Sequence, residues 1–200
     1  MLEYLQTYGV IGFIRLMRDV INTKLFFPAC RLIRQPYYIK RRKYIHFGKR
    51  FTAGVGLRVD VPQQPAGSAV VIEFGDDVQV NDYVHITGIN SIKIGNHVLI
   101  ASKVFISDHN HGTYKGSLAQ SSPLEPPNDR ALSIGKIVIE DNVWIGEFVS
   151  VMPDVTIGKG AIIGSMSVVT KDIPPYTIAV GSPAKVIKRF NFETKGWEGV

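Results

Sequence analysis

The chain has 200 residues, of which 45% are hydrophobic, 20% charged and 10% aromatic, with a net charge of +6. That is the make-up of one packed domain, two at most, and it excludes a disordered chain. A single cysteine, Cys30, excludes a disulfide framework and a cysteine-only metal site, and it fits a reducing, cytoplasmic compartment.

The charge sits at one end. Residues 1–60 carry twelve Lys and Arg against Glu3, Asp19 and Asp60, and the remainder is slightly acidic. The first expected element is an amphipathic helix from about Glu3 to Lys24. Arg15, Arg18, Asp19 and Asn22 share one stripe of it, and Ile14, Met17, Val20 and Ile21 another. An early Glu3 and the lack of a basic leader before an apolar core argue against a signal peptide. Arg15, Arg18 and Asp19 interrupt the apolar stretch before the roughly 20 residues a bilayer span needs. A basic run follows, Arg31, Arg34 and then Lys40 to Lys43. Two readings stay open: a helix packed on its own protein beside a solvated loop, or peripheral contact with the anionic inner face of a plasma membrane. Nucleic acid is not an expected partner, because no reading module accompanies the charge.

The next signal is a period of six. Ile139, Ile145, Val151, Ile157, Ile163 and Val169 are all aliphatic, and a small or apolar residue recurs four positions later at Val143, Val149, Val155, Ala161, Ser167 and Ile173. Upstream, Phe74, Val80 and Ile86 form one run and Ile94, Ile100 and Ile106 another, with a two-residue slip of phase that reads as a widened corner. Phe47-Gly48 through Leu57 reads as a weaker first coil. No helix face repeats every six residues, whereas short strands joined by corners do, so the chain is expected to wind into a parallel β-helix solenoid. The expected organisation is a helix and basic segment over 1–43, the repeat over 44–180 and a cap over 181–200. Within the repeat, residues 108–136 leave the coil as an excursion of roughly 30 residues, far longer than a corner needs and of a length that is usually functional.

Several segments together resemble the hexapeptide-repeat acyltransferases. These are Ile94-Gly-Asn-His-Val-Leu-Ile100, Asp108-His-Asn-His111, Val143-Trp-Ile-Gly146, and Ser167-Val-Val-Thr-Lys-Asp-Ile-Pro-Pro175 leading to Gly181-Ser-Pro-Ala184. The resemblance covers roughly residues 70–190. It points to the galactoside and maltose acetyltransferases and, through residues 1–60, to O-acetyltransferases of bacterial lipopolysaccharide and O-antigen. It implies a left-handed β-helix, a homotrimer with sites between solenoids, and acetyl-coenzyme A as co-substrate with no metal. The implied reaction moves an acetyl group to a sugar hydroxyl of a surface polysaccharide or its precursor.

That reaction needs a base, because an alcohol is too weak an acid to attack a thioester unaided. His111 and His109 stand where the chain leaves the coil. His111 has the offset that the catalytic histidine has in the galactoside and maltose enzymes, so it is the first candidate. His109 is the reserve, with Asp108 orienting a ring. The resemblance marks Asn81 as an acceptor contact, and His85 lies four residues on; the plain alternatives are a corner asparagine and a solvent-facing histidine. Ser165, Thr170 and Lys171 are the implied coenzyme contacts, with Lys185 and Lys188 toward its phosphates. By the same resemblance Trp144 shapes the groove, and Gly146 and Gly164 let the pantetheine arm of the coenzyme approach the backbone closely; the plain alternatives are an outer aromatic and two turn glycines. A non-catalytic solenoid used as a binding surface would need neither the excursion nor the lysine-bearing C-terminal motif, and two enzymatic rivals remain on the same solenoid. One is a xenobiotic or antibiotic acetyltransferase. The other is a γ-carbonic-anhydrase-like metal enzyme using His85, His109 and His111, although the usual ligand spacing is missing.

Overall fold

A computed structural model describes residues 2–65, 69–114, 116 and 120–200. A helix, α1 (Leu2–Phe26), with non-helical backbone at Gly9, leads into a three-sided coil of short parallel strands. Among the described residues the strands gather into sheets of nine, six and five, plus a two-stranded hairpin in the excursion.

The six-residue period sets the register, because each inward aliphatic lies on its equivalent in the next coil. Ala53, Val80, Ile100, Ile145, Ile163 and Ala179 form one column on the nine-stranded sheet. Val59, Ile86, Ile106, Val151 and Val169 form another on the six-stranded sheet. All are buried, and each full burial of a Val or Ile side chain among them contributes about 1.5–3 kcal/mol. One corner is held by a ladder of short polar side chains. Asp76 Oδ1 accepts from the N–H of Lys49, Asn96 Oδ1 from that of Asp76, and Asp141 Oδ1 from that of Asn96.

The coil begins earlier than the sequence expectation. Leu32–Ile33 and Tyr38–Lys40 pair in parallel with Thr52–Ala53 and Arg58–Asp60, so a boundary at residue 43 falls inside it. Ile33, Ile39 and Ile45 do keep the six-residue step, but the run is short, and the phase slips by two before Ala53 and Val59. The basic run is also not simply solvated. The Arg42 guanidinium lies 5.4 Å and 4.9 Å from the ring centroids of Phe27 and Phe47, and Arg41 donates to the carbonyls of Val61 and Pro62.

The first coil leaves an open strand edge whose N–H groups need acceptors. Helix α1 supplies them. Thr23 Oγ1 accepts from the N–H of Ile33 at 2.8 Å, and Asp19 Oδ1 from that of Gln35 at 3.3 Å. Both side chains are buried, so the helix turns polar residues toward the coil and much of its apolar stripe outward. At the other end, Thr177–Val180 is followed by antiparallel strands Lys185–Asn191 and Gly196–Gly199, which extend the nine-stranded sheet as a hairpin. The rings of Phe190, Phe192 and Trp197 pack edge to face on it.

Candidate active site

The excursion leaves the six-stranded sheet after Ser107, and the chain rejoins the coil on the five-stranded sheet at Lys136. Its two ends form an antiparallel hairpin, His109–His111 against Leu132–Ile134. Positions 115 and 117–119 of the excursion lie outside the described residues. Alternation along the strand puts His109 and His111 on one face and Asn110 on the other.

The phase slip between Ile86 and Ile94 makes a pocket for one carboxylate. Asp108, fully buried, accepts from the backbone N–H groups of Ile89, Asn90 and Ser91 at 2.9–3.1 Å. Its Oδ1 also lies 2.9 Å from Nδ1 of His109. The carboxylate therefore closes the widened corner and fixes a ring at once. A carboxylate only accepts, so this contact takes its hydrogen from Nδ1, and in the neutral tautomer that this favours the lone pair is on Nε2. Ser107 Oγ donates to the His109 carbonyl at 2.8 Å, holding the backbone of the turn. His111 is exposed, and its Nδ1 lies 3.2 Å from the carbonyl of Pro127. The carboxylate partner thus belongs to His109 and not to His111.

His85 is half-buried on the six-stranded sheet, paired with Phe105 of the next coil, with its ring 5.4 Å from that of Phe105. Its Nε2 lies 3.2 Å from Asp60 Oδ2, which also accepts from Arg58 Nε at 2.5 Å. Burial, and then the Arg58 charge, hold His85 below its ordinary 6.5; Asp60 pulls the other way, and His109 is near enough for its charge to add to the lowering. The His85 side chain is 31% exposed and has the Asp60 carboxylate as its partner.

Asp60, Thr87, Ser107, Met152 and Thr170 line up coil upon coil at this edge of the prism. Asn81 stands elsewhere. It lies in a column with Gly54, Ala101, Gly146 and Gly164 at the opposite edge of the six-stranded sheet, where its Oδ1 accepts from Gln79. Ser165 follows in that corner, and Trp144 is exposed on the sheet just before it. Lys185 and Lys188 are on the terminal hairpin. Thr170 also borders a cavity of about 300 Å³ under the excursion, with Asn110, Tyr114 and Ser133. One chain therefore splits the expected residues between two edges. A Cβ on Gly146 would come 2.7 Å from the N of Ser165, and one on Gly164 2.6 Å from Val180 Cγ1. Backbone of the next coil stands in the way at Gly146, and only a side chain does at Gly164.

Sequence reasoning missed Asp60, Arg58, Phe105 and Ser107. A signal existed, in that Asp60, Thr87 and Ser107 each directly follow an inward aliphatic. Among the described residues no three His, Cys, Asp or Glu side chains converge to hold a metal ion.

Residues 136–171 match the family model described as bacterial transferase hexapeptide (six repeats). An Escherichia coli protein named "Putative lipopolysaccharide biosynthesis O-acetyl transferase WbbJ" is 52% identical over 197 residues, 98% of each chain. The chain belongs to the hexapeptide-repeat acyltransferases. The galactoside O-acetyltransferase of Escherichia coli is 31% identical over 163 residues, covering 82% of this chain and 63% of that enzyme. A hexapeptide-repeat containing acetyltransferase of Vibrio cholerae, crystallised with acetyl-coenzyme A, superposes with a TM-score of 0.50 at 25% identity, over 78% of this chain and 68% of that one. The fold of this acyltransferase is the family's left-handed β-helix, the known departure from right-handed crossovers.

Proposed function

We propose that this acyltransferase moves an acetyl group from acetyl-coenzyme A to a sugar hydroxyl of a lipopolysaccharide or O-antigen precursor, with His109 as the base. The observation that carries the choice of base is the buried Asp108 carboxylate on His109 Nδ1. Nε2 removes the hydroxyl proton as oxygen bonds to the thioester carbon. The imidazolium, stabilised by Asp108, returns that proton to sulfur as the carbon–sulfur bond breaks. The sequence reading puts His111 first; its exposure and its carbonyl partner support reversing that order. His85 and Asp60 then flank the acceptor on the same face.

Two copies or more are needed to make one cleft. Asn81, Gly146, Gly164 and Ser165 lie at one edge of the prism and Asp108, His109, Thr170 and Lys171 at the other, which supports a site shared between chains of a homotrimer. Lys171, Lys185 and Lys188 are the cations for the coenzyme phosphates. No helix among the described residues is long and apolar enough to cross a membrane. A cytoplasmic enzyme in peripheral contact with the inner membrane surface, working on a lipid-linked glycan, completes the reading.

The test is thiol release from acetyl-coenzyme A with a panel of free sugars and polysaccharide repeat units. Release with saccharides and not with antibiotic alcohols is the expected result. Release with the antibiotics alone would transfer the assignment to the xenobiotic acetyltransferases.

A further inference from the structure

An amphipathic helix on a protein surface ordinarily buries its apolar stripe and wets its polar one. Helix α1 does the reverse over its second, longer part. Val10, Ile14, Met17, Ile21 and Leu25, spaced as one stripe at 3.6 residues per turn, point away from the coil, with exposures from 43% at Met17 to 71% at Leu25. The inward face carries Asp19 and Thr23, spent on the open edge of the first coil. A row of large aliphatics on a helix exterior marks a surface meant to be covered.

The charges around the stripe indicate what covers it. Going round the helix, Arg18 and then Arg15 border it on one side and Lys24 on the other. Asp19, the acidic residue between Val10 and Phe26, is buried and held by Arg18. Past Arg18 and Arg15 the surface dips into a cavity of about 500 Å³ between the helix and the first coil, which Arg34, Tyr8 and Tyr83 also line. Three guanidinium groups face one carboxylate there. With the stripe lying in an apolar layer, this cavity opens a few ångströms above it, at the level where lipid phosphates sit. Two copies of the helix packed stripe to stripe would instead set Arg15, Arg18 and Lys24 beside like charges with no outward acid between Val10 and Phe26 to pair them.

We propose that the outward face of α1 docks on an anionic bilayer surface, with Val10, Ile14, Met17, Ile21 and Leu25 at the acyl boundary and Arg15, Arg18 and Arg34 among the headgroup phosphates. This deepens the reading of a membrane-borne acceptor and rests on it for its purpose, not for its physics. The site between chains would then be held at the height of a glycan standing on the same membrane.

The experiment is co-sedimentation of the full chain with phosphatidylcholine vesicles, with and without phosphatidylglycerol. A second arm carries Ile14→Glu and Ile21→Glu together, two exposed positions that the fold does not use. The native chain pellets with the anionic vesicles only, and salt weakens the binding. The double variant binds at least about tenfold less, because each carboxylate meets both the apolar layer and the lipid charge. Its thiol release with a soluble sugar stays within about twofold of native, since neither residue approaches the proposed base. Native protein that stays in the supernatant, binding indifferent to phosphatidylglycerol, or a double variant that binds as well as native would each overturn the proposal. So would a drop in oligomeric state of the double variant by light scattering with no vesicle binding by the native chain, which would make a second copy the occupant. Vesicle binding without thiol release from any saccharide leaves docking in place and removes the acetyl-transfer reading, so the two fail separately.

Discussion

Asp108 and His109 are neighbours in sequence, yet their side chains meet, Oδ1 to Nδ1 at 2.9 Å, because the carboxylate is anchored from a different coil by Ile89, Asn90 and Ser91. A ring oriented in this way is a better base than one resting on a loop carbonyl. His109→Ala is expected to lose at least about a hundredfold in turnover, the usual scale for a lost general base. His111→Ala, which removes a contact to Pro127 O, is expected to lose less than about tenfold. Thiol-release kinetics on both variants decide it, and the opposite ranking returns the base to His111.

Asp108→Asn separates the carboxylate's two tasks. The amide keeps one oxygen but turns an NH₂ toward donors, so at least one backbone N–H or the imidazole loses its acceptor. Leaving a buried donor unpaired costs about 1–3 kcal/mol, and urea unfolding should register a loss of that size. Turnover should fall as well while KM for acetyl-coenzyme A holds, because Asp108 acts through the ring and not on the coenzyme. A variant that loses stability with full turnover would make Asp108 a corner brace alone.

His85 gives a pH dependence of stability. Burial first, then Arg58, hold it below its ordinary 6.5 in the folded chain. As pH falls through about 6.5 the unfolded state takes up a proton that the folded state refuses, so the unfolded state gains. The stability linked to the neutral ring is complete above that value and is lost as pH drops toward the folded pKa. His85→Gln should therefore show a smaller fall in urea midpoint between about pH 7.5 and pH 5.5 than the native chain. An equal fall in both would assign the acid sensitivity to other groups.

Much of the solenoid was legible because its period is written in local residues: Ile139 to Val169 repeat without a gap, and all six are buried. The slip between Ile86 and Ile94 was legible as a widened corner. That Asp108 fills this corner was not, since the partners lie 17 to 19 positions away and bond through backbone. Residues 32–40 were hidden because Ile33, Ile39 and Ile45 repeat only three times before the phase changes. The facing of α1 was hidden for a different reason. Its stripes were readable, but which stripe turns inward depended on the unpaired N–H groups of Ile33 and Gln35, a property of the coil's end and not of the helix. The Asp60–His85 pair joins strands 25 residues apart and leaves no local mark.

Gly146 tests whether a glycine of the repeat serves the coil or the coenzyme. A methyl there would stand 2.7 Å from Ser165 N and 2.9 Å from Ile163 O, backbone atoms of the next coil that cannot rotate away. Forcing an extra carbon into such packing costs typically about 1–3 kcal/mol. Gly146→Ala should therefore lower the urea midpoint of the protein measured without any coenzyme. At Gly164 the first obstacle is Val180 Cγ1, a side chain that can change rotamer. The loss for Gly164→Ala should be the smaller of the two. If instead Gly146→Ala unfolds like the native chain and raises KM for acetyl-coenzyme A, the residue is kept small for the ligand, and the coil must open locally to admit the methyl.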